Sequence, residues 1–385
     1  MASKAFLFVL ESKIAMNTKY PKTDRRKFLL AGGALLTSIG LGGSLPALAS
    51  TSTKNRVKVA VLAPSHCALP MIYAQLAGFY KEHGLAVDIE FASSMEEIAK
   101  GIFSDRIHFG QFLTPMALAA HMGIGPFQGQ QQSLVSPMWA GTNGGSMVVR
   151  HDSGIKLPQD LKGKTIGVHS RYILHYLITM ELLERYNLSP DSDVFIKTIN
   201  MNNMIEAMKK GEIDGFINAE PLSSAAVAQG VGRDFLLTKD LWFRHPCCCL
   251  TAKKSLFDQE KNLFKDFVTA TMRSSLALNS PTTRREKLQY IWENIDQYQK
   301  LPLPVIQKAF TPGRTDFDPF PFQSSIRVVG KILLHNGLIP KDIAYEQSAR
   351  EVFLSDYARE ILQSLKADNP PANDRLEIVI GKSYA

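Results

Sequence analysis

Four short runs hold the side chains best suited to chemistry: Ser65-His66-Cys67, His169-Ser170, Glu220-Pro221 and His245-Pro246-Cys247-Cys248-Cys249. Imidazole and thiol together can donate to an anion, ligate a soft metal or change redox state. The cysteine run has no Cys-x-x-Cys spacing. A soft-metal or redox cluster of Cys247, Cys248 and Cys249 with His66, Cys67 and His245 is therefore the sharper of two readings. The plainer one makes these cysteines small apolar residues on a strand through the core. Side chains alternate along a strand, so adjacent cysteines do not easily bridge one another; a bridge from Cys67 to one of the three stays open. Glu220 is a carboxylate that would repel an anion unless protonated, paired or metal-bound. His169 and Arg244 are its candidate partners. Alternatively it meets a cationic group of the ligand, or only orders its loop. The chain carries no phosphate-binding Gly-x-x-x-x-Gly-Lys loop, no Gly-x-Ser-x-Gly elbow and no His-Glu-x-x-His.

Two similar segments must position these residues. MNNMIEAMKKGEIDGFINAEP (201–221) reads as an amphipathic helix, a stop at Gly211, a buried strand and a polar end, with a further helix behind it. A weaker copy begins at Met95, passes Lys100-Gly101 and reaches Gln111, Thr114 and Pro115. Polar residues at the carboxyl ends of strands, facing the next helix's N-terminus, are where open α/β sheets hold ligands. One unit used twice predicts two similar lobes with a cleft between them.

The rest of the chain fits. RVKVAVLA (56–63) is a nearly continuous apolar strand, as a buried parallel strand should be, and a helix over 69–83 ends at Gly84. AVDIEF (86–91) completes a β–α–β start, and Ser93 and Ser94 cap a helix with Glu96 and Glu97 in its first turn. Asn143 and Ser146 lie in a Gly-rich stretch read as a strand or hairpin entering the second lobe. KTIGV (164–168) is a strand with His169-Ser170 at its polar end. Beyond Lys253 the chain is largely helical. The expected layout is a first lobe over 50–150, a second over 151–245, a return to the first lobe with C-terminal helices over 246–366, and a polar tail over 367–385.

Composition is that of an ordinary globular chain, 45% hydrophobic and 21% charged in 385 residues. The net charge of +8 is concentrated at the N-terminus: residues 1–49 hold seven Lys/Arg and two Asp/Glu, leaving +3 for the remainder. That balance gives no argument for nucleic acid. Arg25-Arg26 within DRRKFLL, an apolar Gly/Ala-rich run over 31–45 and Pro46-Ala47-Leu48-Ala49 form a twin-arginine export signal, with cleavage expected after Ala49. The run is too short and too rich in glycine for a membrane span. Met16 is an alternative start.

GFYKEHGL after the first helix, the two Lys-Gly strand units, Gly167-Val168-His169-Ser170, INAEP (217–221) and Trp242-Phe243-Arg244-His245-Pro246 occur in an order that resembles one family. It is that of ABC-importer substrate-binding proteins, in the nitrate/bicarbonate-binding branch near the sulfonate and thiamine-precursor binders. The resemblance covers most of residues 56–260. It implies an α/β fold of two lobes, the type II periplasmic binding protein fold, with hinge strands between the lobes and a helical C-terminal extension. It implies a periplasmic protein that captures a small solute, of nitrate, bicarbonate or sulfonate type, and delivers it to an inner-membrane permease, with no catalysis and no cofactor. The twin-arginine translocase would be a further partner. The ligand-binding set expected is Ser65, His66, Cys67, Gln111, Thr114, Asn143, Ser146, His169, Ser170, Glu220 and His245. The alternatives are a pyrimidine-precursor synthase using the cysteine run, and a ligand-binding partner of a sensor kinase.

Overall fold

The computed structural model describes residues 55–384, so the expected export signal lies outside the described residues. Two sheets organise the chain. The strands of the first are β1 (Arg56–Val61), β2 (Ala86–Phe91), β3 (Phe109–Leu113) and β4 (Leu134–Asn143). Those of the second are β5 (Gly145–Arg150), β6 (Thr165–Val168), β7 (Phe195–Thr198), β8 (Gly215–Ala219) and β9 (Gly232–Leu237). Then β10 (Pro246–Lys253) and the short β11 (Thr315–Asp316) return to the first sheet. The first sheet has the order β11-β4-β10-β3-β1-β2 and the second β7-β6-β8-β5-β9. In each, three parallel strands adjoin one antiparallel strand that belongs, by chain order, to the other half. Setting the edge strand β11 aside, the orders 2-1-3-10-4 and 7-6-8-5-9 are the same topology. The repeated unit read in the sequence is therefore a repeated lobe. Its helices Met95–Phe103 and Met204–Lys209 precede the equivalent strands β3 and β8.

Local chemistry accounts for much of this. Ser94 caps the helix Met95–Phe103, accepting the Glu97 N–H at 3.2 Å. Glu97 in turn accepts from the Ser93 N–H at 2.7 Å and hydroxyl at 2.8 Å. This reciprocal arrangement satisfies donors that a helix start leaves open. Gly84 and Gly211 have positive φ after their helices, a conformation that costs glycine little.

Three readings become definite in the structure. The segment around Asn143 is not a hairpin: β4 and β5 lie in different sheets, and the chain crosses between lobes at Gly144. Residues 145–150 therefore belong to the second lobe. The C-terminal helices also touch the second lobe. The helix Gln323–His335 packs against the helix Leu174–Arg185 of the second, and Tyr172 Oη donates to the Leu338 carbonyl at 2.6 Å. In the tail, residues 376–380 read as a small strand or as disordered; the strand is there, and Glu377–Val379 pairs antiparallel with Lys382–Tyr384. Glu377, 1% exposed, accepts from Trp242 Nε1 at 2.8 Å, Ser325 Oγ at 2.5 Å and Arg375 Nε at 2.8 Å. Lys382 and Tyr384 reach Glu184 and Glu181 on the second lobe at 2.6 and 2.9 Å. Among the described residues no helix is long and apolar enough to cross a membrane.

Candidate functional site

The chain crosses between lobes at Gly144 and again from β9 to β10, and the polar residues of interest gather around these crossings. His66 and Cys67 sit in the turn after β1, and His66 Nε2 lies 3.2 Å from Cys67 Sγ. The His66 ring is packed against the crossing strand: a Cβ on Gly144 would fall 2.5 Å from His66 Nε2, and one on Gly141 2.7 Å from its Cδ2. Gly144 also has φ +79°. Both facts demand glycine here. On the other side of the crossing, a Cβ on Gly145 would fall 2.5 Å from Nε2 of His175, which lies in the first turn of the helix Leu174–Arg185. The His175 and His245 rings are 6.4 Å apart.

The histidines are sealed and incompletely satisfied. His66, His175 and His245 are at most 2% exposed. His66 Nδ1, His175 Nε2, His245 Nδ1 and His169 Nδ1 are all buried with no hydrogen-bond partner. Thr238 settles one tautomer. Its hydroxyl donates to the Gly145 carbonyl at 2.9 Å, so its contact with His245 Nε2 at 2.8 Å is one in which the imidazole donates. His245 Nδ1 is then a bare lone pair. Burial keeps these rings neutral. The pKa of His175 falls to about 3, through desolvation and then the nearby His66 and His169. His245 is pushed well down by burial and by His175 and His66, and burial also lowers His66 and His169.

The cysteines do not alternate as a regular strand would have them. Register shifts at Cys248 bulge β10 against β4. Cys247 and Cys248 then share one face with Cys67, their two Sγ atoms 4.0 Å apart, while Cys249 turns to the opposite face. A bulge that breaks the two-residue period is the reason. All four thiols are free and buried. Cys249 is a core residue: it lies 3.6 Å from the Phe112 carbonyl, and burial pushes its thiol up to about 11. One ligand atom each of His66, Cys67 and Cys247 lie within 4.8 Å of one another.

Glu220 pairs with neither His169 nor Arg244. Its partner is Arg314, whose Nε donates to Oε1 at 2.6 Å, while the Ser224 N–H donates to Oε2 at 3.0 Å. Arg314 also holds Asp234 on β9 through Nη1 at 3.1 Å and Nη2 at 2.9 Å. Burial raises the pKa of Glu220, and Arg314 and Ser224 offset only part of that. For Asp234 burial acts upward too, but the hydrogen bonds from Arg314 and Ser146 outweigh it and the carboxyl stays low. Arg314 was not legible as a site residue; it stands in an ordinary turn, Thr311-Pro312-Gly313-Arg314.

Several expected ligand contacts have their polar groups committed within the protein. Ser65 Oγ donates to the Leu62 carbonyl at 2.7 Å. Gln111 accepts from the Leu62 N–H at 3.1 Å and donates to Ser65 Oγ at 3.3 Å. Asn143 donates to Asp316 at 2.8 Å and accepts the Arg244 N–H at 2.7 Å. Ser146 donates to Asp234 at 2.8 Å, and Ser170 accepts the Tyr172 N–H at 3.1 Å. These residues order the turns and the hinge. Thr114 opens the helix Thr114–Met122 with its hydroxyl buried and unpartnered. His175 was missed; its only signal was a lone imidazole in an apolar helix.

Two α/β lobes of one topology, joined by crossing strands with polar groups sealed between them, have the two-lobe fold of the periplasmic binding proteins. The chain belongs to the NMT1-like family, whose model matches residues 50–292. It is 27% identical over 249 residues to the bicarbonate transport ATP-binding protein CmpC of Synechocystis, covering 60% of this chain and 37% of that protein. The chain thus spans well under half of that relative. The periplasmic nitrate-binding protein NrtA of Synechocystis has the same fold, with a TM-score of 0.77 at 19% identity over 85% of this chain and 94% of that one. The aliphatic sulphonate binding protein SsuA of Escherichia coli superposes with a TM-score of 0.60 at 16% identity, over 76% and 91% of the two chains.

Proposed function

We propose that this chain is the extracytoplasmic solute-binding component of an ABC importer. It is exported by the twin-arginine route, cut after Ala49, and takes up a small anion of nitrate, bicarbonate or sulfonate type between its lobes. The observation that carries this reading is the set of unpartnered imidazole nitrogens of His66, His175 and His245, buried where the crossing strands pass between the lobes. A buried polar atom without a partner costs about 1–3 kcal/mol. Such a cost is retained where a ligand repays it. His169 and Thr114, each with one unpartnered buried atom, are the remaining candidate contacts. Transport needs no bond-making from this chain. It needs affinity that differs between open and closed lobes, so that a membrane permease can read the liganded form. The fold alone leaves catalysis open; what favours binding is the kinship with binding proteins.

The test is a thermal-shift screen of the protein against nitrate, nitrite, bicarbonate and alkanesulfonates. One solute should raise the melting temperature, by mass action on the folded state. His175→Gln should keep the fold and lose the shift. Equal shifts in the variant, or conversion of the solute on incubation, would overturn the reading.

A further inference from the structure

The candidate site lacks a feature that a small anion needs. The guanidinium of Arg314 is committed to Glu220 and Asp234. His245 Nδ1 presents a lone pair, not an N–H. Near them stand the sulfurs of Cys67, Cys247 and Cys248, on one face of β10 and its neighbouring turn. Thiols and imidazoles gathered in one place are the ligand types that suit a soft cation.

We propose that His66, Cys67 and Cys247 bind one soft divalent d-block cation of the Zn²⁺ class, and that this ion supplies the Lewis-acidic position on which a small anion is held. Three observations carry the site. The three ligand atoms already lie within 4.8 Å of one another, and all three residues are buried. Ligand atoms around a tetrahedral ion with bonds of about 2.0–2.3 Å stand about 3.3–3.8 Å apart, so a small contraction completes the triad. The His66–Cys67 separation of 3.2 Å is already in that range. Second, a bulge in β10 brings Cys247 round to Cys67, whereas a regular strand would separate successive thiols. Third, the glycines at 141 and 144 leave room only for the His66 ring, which fixes it beside Cys67.

The chemistry balances. Binding forms two metal–thiolate bonds and one metal–imidazole bond and releases the two thiol protons to solvent. Two thiolates balance the ion's overall charge, but the metal remains a Lewis acid at its fourth position, which is left for a small anion or for the unpartnered nitrogen of His175 or His245. The ion is thereby part of the ligand that the lobes enclose, so the inference rests on the solute-binding reading above.

The experiment uses the reduced, metal-stripped full chain, titrated with Zn²⁺ against a chromophoric chelator, and with Co²⁺ to detect thiolate-to-metal charge transfer. One ion per chain is expected, with thiolate absorption. Cys67→Ser and Cys247→Ser should each weaken binding by at least about 100-fold, beyond the 10–100-fold that losing an outer partner costs. Cys249→Ser, on the opposite face, should bind as the parent does. Melting curves of the metal-free variants show that they fold. Binding without thiolate absorption, or unchanged in Cys67→Ser and Cys247→Ser, would overturn the proposal. A thermal shift with an anion on the metal-free protein would overturn it too, while leaving the importer reading standing. No response to any solute, with or without Zn²⁺, would overturn both.

Discussion

Arg314 Nε donates to Glu220 Oε1 at 2.6 Å, joining the edge of the first lobe to the carboxyl end of β8 in the second. The same guanidinium grips Asp234 on β9. One cation from the first lobe therefore pairs with two carboxylates of the other, and the hinge is held by charge as well as by the two crossing strands.

Removing that cation leaves Glu220, which is fully buried, without its counter-ion. Arg314→Met should destabilise the protein by about 3–5 kcal/mol, the cost of breaking a buried pair from one side. The double variant Arg314→Met, Glu220→Gln should recover part of it. Urea unfolding measures both. A single variant as stable as the parent would show that the pair contributes nothing net.

Gly144→Ala should lower stability and abolish solute binding together. Its Cβ would meet His66 Nε2 at 2.5 Å, and its φ of +79° disfavours any side chain. A cost of roughly 1–3 kcal/mol is expected from strain of this kind. Calorimetry and the thermal-shift screen check the two effects separately. Normal binding in this variant would show that the crossing strand has room to move away from the imidazole.

Stability should fall as the solution becomes more acid than the ordinary histidine pKa of 6.5. His175, at about 3, stays neutral in the folded chain over a range in which the unfolded chain protonates it. His66 and His245 are displaced in the same direction. A pKa lowered on folding gives stability that is complete above 6.5 and is lost as the pH drops toward the folded value. Each such histidine contributes a slope of up to about 1.4 kcal/mol per pH unit in that window. Melting temperatures between about pH 7 and pH 5 test this. The slope should shrink in His175→Gln; an identical slope would place the proton uptake elsewhere.

Glu377→Leu should loosen the C-terminal strap from the second lobe. The carboxylate receives Trp242 Nε1 and Arg375 in a buried position. Its loss strands both donors and should cost about 2–4 kcal/mol. Trp242 fluorescence should shift to the red, and proteolysis should cut within 367–384 first. Protection of the tail equal to the parent's would sink this account.

Much of the architecture was legible in the sequence. The strand–helix alternation, the Ser94 cap, the Lys-Gly units and the strand ends at His169 and Glu220 follow from periodicity, capping and turn chemistry, all of which act within a few residues of the chain. The equivalence of the units at 95–115 and 201–221 predicted two like lobes, and the sheets have that topology. His66, Cys67 and His245 were singled out by residue type alone.

Only the tertiary structure decided who meets whom. Arg314 reaches Glu220 across 94 positions of sequence, and nothing local to Thr311-Pro312-Gly313-Arg314 marks it. His175 looked like one core residue among apolar neighbours until the lobes brought its ring to Gly145 and His245. The bulge that turns Cys247 toward Cys67 arises from the pairing of β10 with β4, a long-range register that no residue of the cysteine run encodes. Short-range sequence fixes the conformation of each element. The pairing of charges and the convergence of ligand atoms depend on distances that close only when both lobes are built.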